Sequence, residues 1–282
     1  MILMDGKSLA SEIKNKLVEE AKSMEKTPGL AVILVGENPA SKKYVQMKER
    51  ACDEVGISHK VHRLEENVSD SEIEELILKL NKDESIDGII VQLPLSKHRN
   101  TNEILENIDP SKDVDGLTIT NVGRLEKNLP GLFPATPLGV MELLKKYKIE
   151  IAGKNAVVIG RSNLVGKPLA QLLLNAGATV TIAHSKTKNI GEVTKNADIL
   201  VSAVGRPGLI TADMVKDQAV VIDVGTTEQD EKLKGDIDFP QVSKKASYIT
   251  PVPGGVGPMT VAMLLSNVVK AAGGVNRFIG RR

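Results

Sequence analysis

The sequence predicts an α/β protein of two domains, each built on a parallel sheet, and three observations carry that prediction. Short β-branched runs alternate with amphipathic helical patterns almost throughout. The apolar runs are continuous, as strands covered on both faces require. A stretch without sustained periodicity, 118–136, divides the chain, and 282 residues suffice for two modest domains sharing a deep cleft.

In chain order, a helical pattern at 7–26 leads to the strand candidate "LAVILVG" (30–36). A helix is expected at 41–55, starting after Pro39 with Ser41 able to cap it. His59 and His62 fall in a probable strand, and a helical pattern at 70–82 precedes the strand "DGIIVQLP" (87–94). The dividing stretch holds Pro130 and Pro134 close together, as an interdomain connection would. Beyond it come a helix at 137–147, the strand "NAVVIG" (155–160) and a helix at 165–176. Strands "ATVTIAH" (178–184), "ADILVSAVG" (197–205), "QAVVIDVG" (218–225) and "ASYITP" (246–251) follow, then a helix at 259–272. Domains are expected at 1–120 and 121–258, with the C-terminal helix, about 259–282, packing back onto the first.

Composition excludes several classes. Lys and Arg number 37 against 36 Asp and Glu, so no net field favours nucleic acid or an anionic membrane. Aromatic residues make up 2% with no Trp, too few for stacking along a single strand. The single Cys52 excludes an internal disulfide and a cysteine-rich metal site, and suits a reducing cytosol. No stretch reads as a signal peptide or membrane span, so a soluble cytoplasmic protein is expected. Metal chemistry is not expected. Ser111, Asp113, Asp115 and Gly116 imitate a calcium loop only in part, with Val122 where Glu is needed. His59 and His62 lie three apart on a strand and so point to opposite faces.

The helix "NPASKKYVQMKERACDEVG" (38–56) carries an anomaly. At roughly 100° per residue, Tyr44, Val45, Met47, Ala51, Cys52 and Val55 share an arc of about 160°. Lys48 lies in the middle of it, one turn after Tyr44. Gln92 places an amide at the end of a strand that should be buried, and Asp113 and Asp115 lie beside Gly116 at a turn. Each admits a structural role alone: a snorkelling lysine, a satisfied amide, an Asp-Gly turn.

"VVIGRSNLVGKPLAQLLLNAGATVTIAHSKT" (157–187) runs strand, turn, helix, strand, with Gly160 and Gly166 bracketing the turn. The helix N-terminus of such a unit can receive a phosphate, although the spacing is not the standard G-x-G-x-x-G. NAD sites place an acid after the next strand. Here His184-Ser185-Lys186-Thr187 has none, and Arg161 adds a cation, which favours NADP over NAD. A second glycine-rich loop, "ITPVPGGVGPMTVAMLL" (249–265), leaves a strand for a helix, where α/β sheets bind ligands.

Together these blocks, with "PSKDVDGL", "NVGRL", "PATPLG" and "DILVSAVGRPGLI", resemble the bifunctional methylenetetrahydrofolate dehydrogenase/methenyltetrahydrofolate cyclohydrolase family over nearly the whole chain. The resemblance implies an N-terminal catalytic domain, a C-terminal Rossmann-like NADP-binding domain and a folate cleft between them. It implies that Tyr44 packs on the folate, that Lys48 is the main catalytic group paired with Gln92, and that Asp115 binds the pterin edge. Pro253, Gly254 and Gly255 would line the folate site. Gly160, Arg161, Ser162, Val165, Gly166, Ser185 and Thr226 would hold NADP. A homodimer acting on tetrahydrofolate derivatives in one-carbon metabolism is also implied. The chain departs from the family pattern at Leu117–Thr120, Ala135 and Thr226, and none of these removes a catalytic group. A monofunctional dehydrogenase, a two-domain dehydrogenase of the shikimate type and a non-catalytic nucleotide sensor are the alternatives.

Overall fold

Buried apolar runs form the centres of two parallel sheets in the computed structural model, which describes residues 1–229 and 232–274. The chain divides into two compact units. One comprises Met1–Ser11 with Ala135–Met263, the other Glu12–Pro134 with the chain from Leu264 onward. In chain order the elements are β1 (Ile2–Leu3), α1 (Gly6–Lys22), β2 (Gly29–Val35), α2 (Pro39–Val55), β3 (Ser58–Leu64), α3 (Asp70–Lys82), β4 (Gly88–Val91), α4 (Thr101–Glu106), α5 (Ile119–Glu126) and α6 (Ala135–Lys146). There follow β5 (Asn155–Ile159), α7 (Gly166–Asn175), β6 (Thr179–Ala183), α8 (Ile190–Thr194), β7 (Ile199–Ser202), a 3₁₀ turn (Ala212–Met214), β8 (Val220–Asp223), β9 (Thr227–Gln229), β10 (Lys232–Lys234), α9 (Phe239–Val242), β11 (Tyr248–Ile249) and α10 (Val256–Ala272).

The unit containing residues 12–134 has a three-stranded parallel sheet in the order β3-β2-β4. Every residue of β2 and β4 is buried, as their unbroken apolar runs require. Ile33, Ile73, Ile77, Ile89 and Ile104 are its fully buried centre. Ser69 and Glu72 close a reciprocal capping box at the start of α3.

The other unit has a six-stranded parallel sheet in the order β1-β11-β8-β7-β5-β6, with a separate antiparallel β9–β10 pair. β5, α7 and β6 form the expected βαβ unit, registered Asn155↔Thr179 through Ile159↔Ala183.

The division departs from the one read in the sequence at 1–11, at 121–134 and at 259–263, the last of which stay with the unit of the six-stranded sheet. Residues 121–134 stay with the first half, because buried Asn121 donates through Nδ2 to Pro110 O (2.8 Å) and Asp113 Oδ2 (3.0 Å). Part of the supposed connection is therefore the helix α5, capped by Thr118. Residues 1–11 leave the first half because β1 pairs in parallel with β11. Residues of α10 from Leu264 group with 12–134. Asn267 Nδ2 donates to Val114 O and Phe133 O, each at 2.8 Å, and Lys270 Nζ to Gly131 O at 2.6 Å. Residues 275–282 of the expected C-terminal helix lie outside the described residues.

Candidate active site

Helix α2 starts at Pro39, two residues before the 41–55 span expected from the sequence, and on a different cap. Asn38 Oδ1 accepts from the backbone of Ala40 (3.0 Å) and Ser41 (3.2 Å), leaving Pro39 in the first turn, where its missing N–H costs nothing. Ser41 is itself buried inside that turn. The buried stripe then runs Ser41, Val45, Cys52, Val55, with Ala51 beside it. Tyr44 and Met47, assigned to the apolar arc by the helical wheel, are about half exposed (51% and 45%). Lys48 occupies the position between Val45 and Cys52 where the 4-3-4-3 spacing calls for another buried apolar residue.

Its ammonium donates to Gln92 Oε1 at 2.9 Å. Gln92 is buried just past the end of β4, with its backbone N–H on Ile33 O (2.8 Å) and its Nε2 on Leu93 O (2.7 Å). The amide is thereby held with its oxygen toward the lysine. Burial pulls the Lys48 pKa below the ordinary lysine value of 10.5, against the opposing pull of Asp115 and Cys52. Burial pushes Asp115 up, while the Lys48 charge draws it down. The Cys52 thiol, one turn on, is pushed by burial up to about 12 and stays protonated.

The two aspartates at the Gly116 turn separate into different roles. Asp113 is fully buried and accepts from Leu117 N (3.1 Å), Thr118 N (2.9 Å), Thr118 Oγ1 (2.8 Å) and Asn121 Nδ2 (3.0 Å). It holds the chain where the family pattern is broken, and Thr118 makes that possible. Asp115 is half-buried and takes no hydrogen bond from the described protein. At Gly116, φ is +64° and a Cβ would come within 2.6 Å of Leu132 O, so glycine is required. Among the described residues no group of His, Cys, Asp and Glu can hold a metal ion.

In the other unit a pocket of about 420 Å³ lies at the ends of β5, β6 and β7. Gly160, Arg161, Ser162, His184, Ser185, Thr187 and Arg206 line its polar part, and none is an acid. Gly160 has φ +126°, and a Cβ there would meet Ala203 O at 2.6 Å. Gly166 lies close enough to Gly160 O that no side chain fits, which brings the start of α7 against the turn. Ser162 Oγ accepts from Val165 N (3.1 Å) and Gly166 N (3.4 Å), capping that end. His184 and Thr187 bond reciprocally, His184 N to Thr187 Oγ1 (2.9 Å) and Thr187 N to His184 O (2.8 Å), which fixes Ser185 at the rim. Acid-free lining, two guanidiniums and a glycine cradle fit an anionic dinucleotide.

Of the proposed cofactor residues, Gly160, Arg161, Ser162 and Ser185 line the pocket, while Val165, Gly166 and Thr226 do not. Val165 and Gly166 shape the turn, and Thr226 is exposed beyond β8. Pro253, Gly254 and Gly255 form the turn between β11 and α10, anchored by Lys7 N on Gly254 O (2.9 Å).

Sequence reasoning passed over Asp223 and Asp236. Asp223 accepts from Asp236 N and Ile237 N, both at 3.0 Å. Asp236 accepts from Ser202 Oγ (2.8 Å), Val204 N (2.8 Å) and Arg206 N (2.7 Å), fastening the pocket's β7 loop from beneath. Asp223, which ends the apolar run "VVID", carried an available signal, whereas Asp236, inside "GDID", carried none.

Two family models match: the tetrahydrofolate dehydrogenase/cyclohydrolase catalytic domain over residues 4–115, and the NAD(P)-binding domain of the same enzymes over 134–275. The bifunctional protein FolD of Campylobacter concisus (strain 13826) is 58% identical over 276 residues, covering 96% of this chain and 98% of that one. The crystal structure of the bifunctional methylenetetrahydrofolate dehydrogenase/cyclohydrolase FolD from Campylobacter jejuni superposes with a TM-score of 0.96 at 53% identity, over 98% of this chain and 99% of that one. The Trypanosoma brucei enzyme, solved with NADP cofactor and an inhibitor, gives 0.92 at 38% identity over 100% and 99%.

Proposed function

Because this chain belongs to the tetrahydrofolate dehydrogenase/cyclohydrolase family, we propose that it oxidises 5,10-methylenetetrahydrofolate with NADP⁺ and hydrolyses the methenyl product to 10-formyltetrahydrofolate. The observation that carries the reading is Lys48, set in a buried stripe and held at 2.9 Å from Gln92 Oε1.

NADP⁺, when bound, accepts the hydride lost by the carbon bridging N5 and N10. Both nitrogens share the resulting positive charge, so in this step the protein chiefly has to align the reactants. Gly160, Arg161, Ser162 and Ser185 are the residues that would hold the cofactor. Tyr44, half exposed, offers its ring to the folate, and Asp115 offers an unpaired carboxylate to the pterin's N–H edge.

Hydrolysis needs a base. Water attacks the methenyl carbon and gives one proton to the base. The bond from that carbon to N5 then breaks as N5 is protonated, and the remaining hydroxyl proton passes to solvent as the formyl C=O forms. A lysine whose pKa is lowered by burial has a neutral fraction able to take the proton and, as ammonium, return it to the leaving nitrogen. Gln92 orients that amine.

No helix among the described residues is long and apolar enough to cross a membrane. The protein would work in the cytosol as a homodimer, which sedimentation of the purified chain would check.

An absorbance assay with methylenetetrahydrofolate, run separately with NADP⁺ and NAD⁺, tests the dehydrogenase. Decay of supplied methenyltetrahydrofolate without cofactor tests the cyclohydrolase. Turnover in both, with NADP⁺ preferred, is expected. Reduction without accelerated methenyl decay would leave a monofunctional dehydrogenase.

A further inference from the structure

Arg206 adds a second guanidinium to the pocket that Arg161 and Ser185 line, but the dinucleotide reading does not say which part of the ligand it meets. It arrives from a third direction. Arg161 follows β5, Ser185 follows β6, and Arg206 follows β7, three strands adjacent in the sheet with β5 in the middle. Among the described residues, the ion pairs made by arginine are those of Arg63 and Arg99, so Arg161 and Arg206 have no acidic partner.

The backbone beneath Arg206 is fixed although its side chain is exposed. Its N–H donates to buried Asp236 at 2.7 Å, Val204 N–H donates to the other oxygen of that carboxylate at 2.8 Å, and Thr227 Oγ1 donates to Gly205 O at 3.0 Å. Pro207 follows and restricts the exit. Asp236 spends its charge on these donors below the loop and is absent from the pocket lining. The guanidinium is thus presented from a rigid base into a pocket without carboxylates.

A dinucleotide offers two kinds of phosphate to such a pocket. The pyrophosphate is matched by backbone amides at the start of α7. A 2′-monoester lies at the end of β6, carries nearly two charges, and needs more than one cation. We propose that Arg206 is a specificity-determining residue that, with Arg161, receives the 2′-phosphate of the dinucleotide and so sets the preference for NADP over NAD. This rests on the dinucleotide reading of the pocket.

Calorimetric titration of the full chain with NADP⁺, NAD⁺ and adenosine 2′,5′-bisphosphate tests it, using wild type, Arg206→Gln and Arg206→Lys. Arg206→Gln should weaken NADP⁺ and the bisphosphate about tenfold and leave NAD⁺ within about twofold, with Arg206→Lys recovering part of the loss. Equal weakening of NADP⁺ and NAD⁺ would mean that the guanidinium stacks on the adenine, and would overturn the proposal. Unchanged affinities in Arg206→Gln beside a wild type that binds NADP⁺ would overturn this proposal alone. A wild type that binds none of the three would overturn the dinucleotide reading and this proposal with it.

Discussion

Lys48 and Arg161 are both cations in a candidate site, one in each unit, and their surroundings are opposite. Lys48 stands in the buried stripe of α2 with its ammonium on an immobilised amide. Arg161 is exposed in a glycine turn, among backbone donors and without an acid in the lining. Burial shifts a lysine toward the neutral form. A guanidinium in water stays charged at every working pH. Under the proposed function, the first arrangement suits proton transfer and the second suits a bound phosphate.

Substitutions in the two places should therefore fail differently. Lys48→Met is the largest: methenyl hydrolysis should fall by about 10²–10⁴, with a smaller loss of hydride transfer, measured by separate assays of the two steps. Hydrolysis at the wild-type rate would remove Lys48 from the chemistry. Arg161→Ala should raise KM for NADP⁺ about tenfold or more, hardly change KM for NAD⁺, and leave methenyl hydrolysis without cofactor untouched. An equal effect on both dinucleotides would erase the contrast.

The smallest effect concerns Asp223, a buried charge that lies in the cofactor-binding unit. Burial pushes its carboxyl from 3.8 up to about 7, against the donors from Asp236 and Ile237. A raised pKa in the folded state means that its stabilising contribution is complete below the unfolded value and is lost as pH rises through about 7. The stability advantage of wild type over Asp223→Asn in urea should accordingly shrink between about pH 4 and about pH 8. A constant difference would show that Asp223 does not titrate in that range.

Much of this was legible in the order of residues because it is local. The β5–α7–β6 unit follows from one apolar run, one glycine turn and one amphipathic helix. Lys48 stood out because a single helix wheel exposes a charge in an apolar arc. What was missed depends on contacts between distant segments. Ile2 and Leu3 form a strand only because Tyr248 and Ile249 lie beside them. Asp236 is 30 residues from the Arg206 amide that it holds, and no periodicity links the two. Tyr44 and Met47 fell on the apolar arc, yet whether a face is covered is decided by tertiary packing. The start of α2 was misplaced for a subtler reason: Asn38 and Ser41 are both good caps, and only the geometry around Pro39 chooses between them.

The pH profile of methenyl hydrolysis, corrected for the uncatalysed rate and measured for wild type and Gln92→Leu, tests the role of Lys48 most directly. With Lys48 as the base, the wild-type rate rises with pH through an apparent pKa below 10.5. Removing the Gln92 oxygen takes away the acceptor that favours the ammonium, so the rising limb should move to lower pH in Gln92→Leu. A limb at the same pH in both proteins, or none in either, would contradict a lysine base on α2.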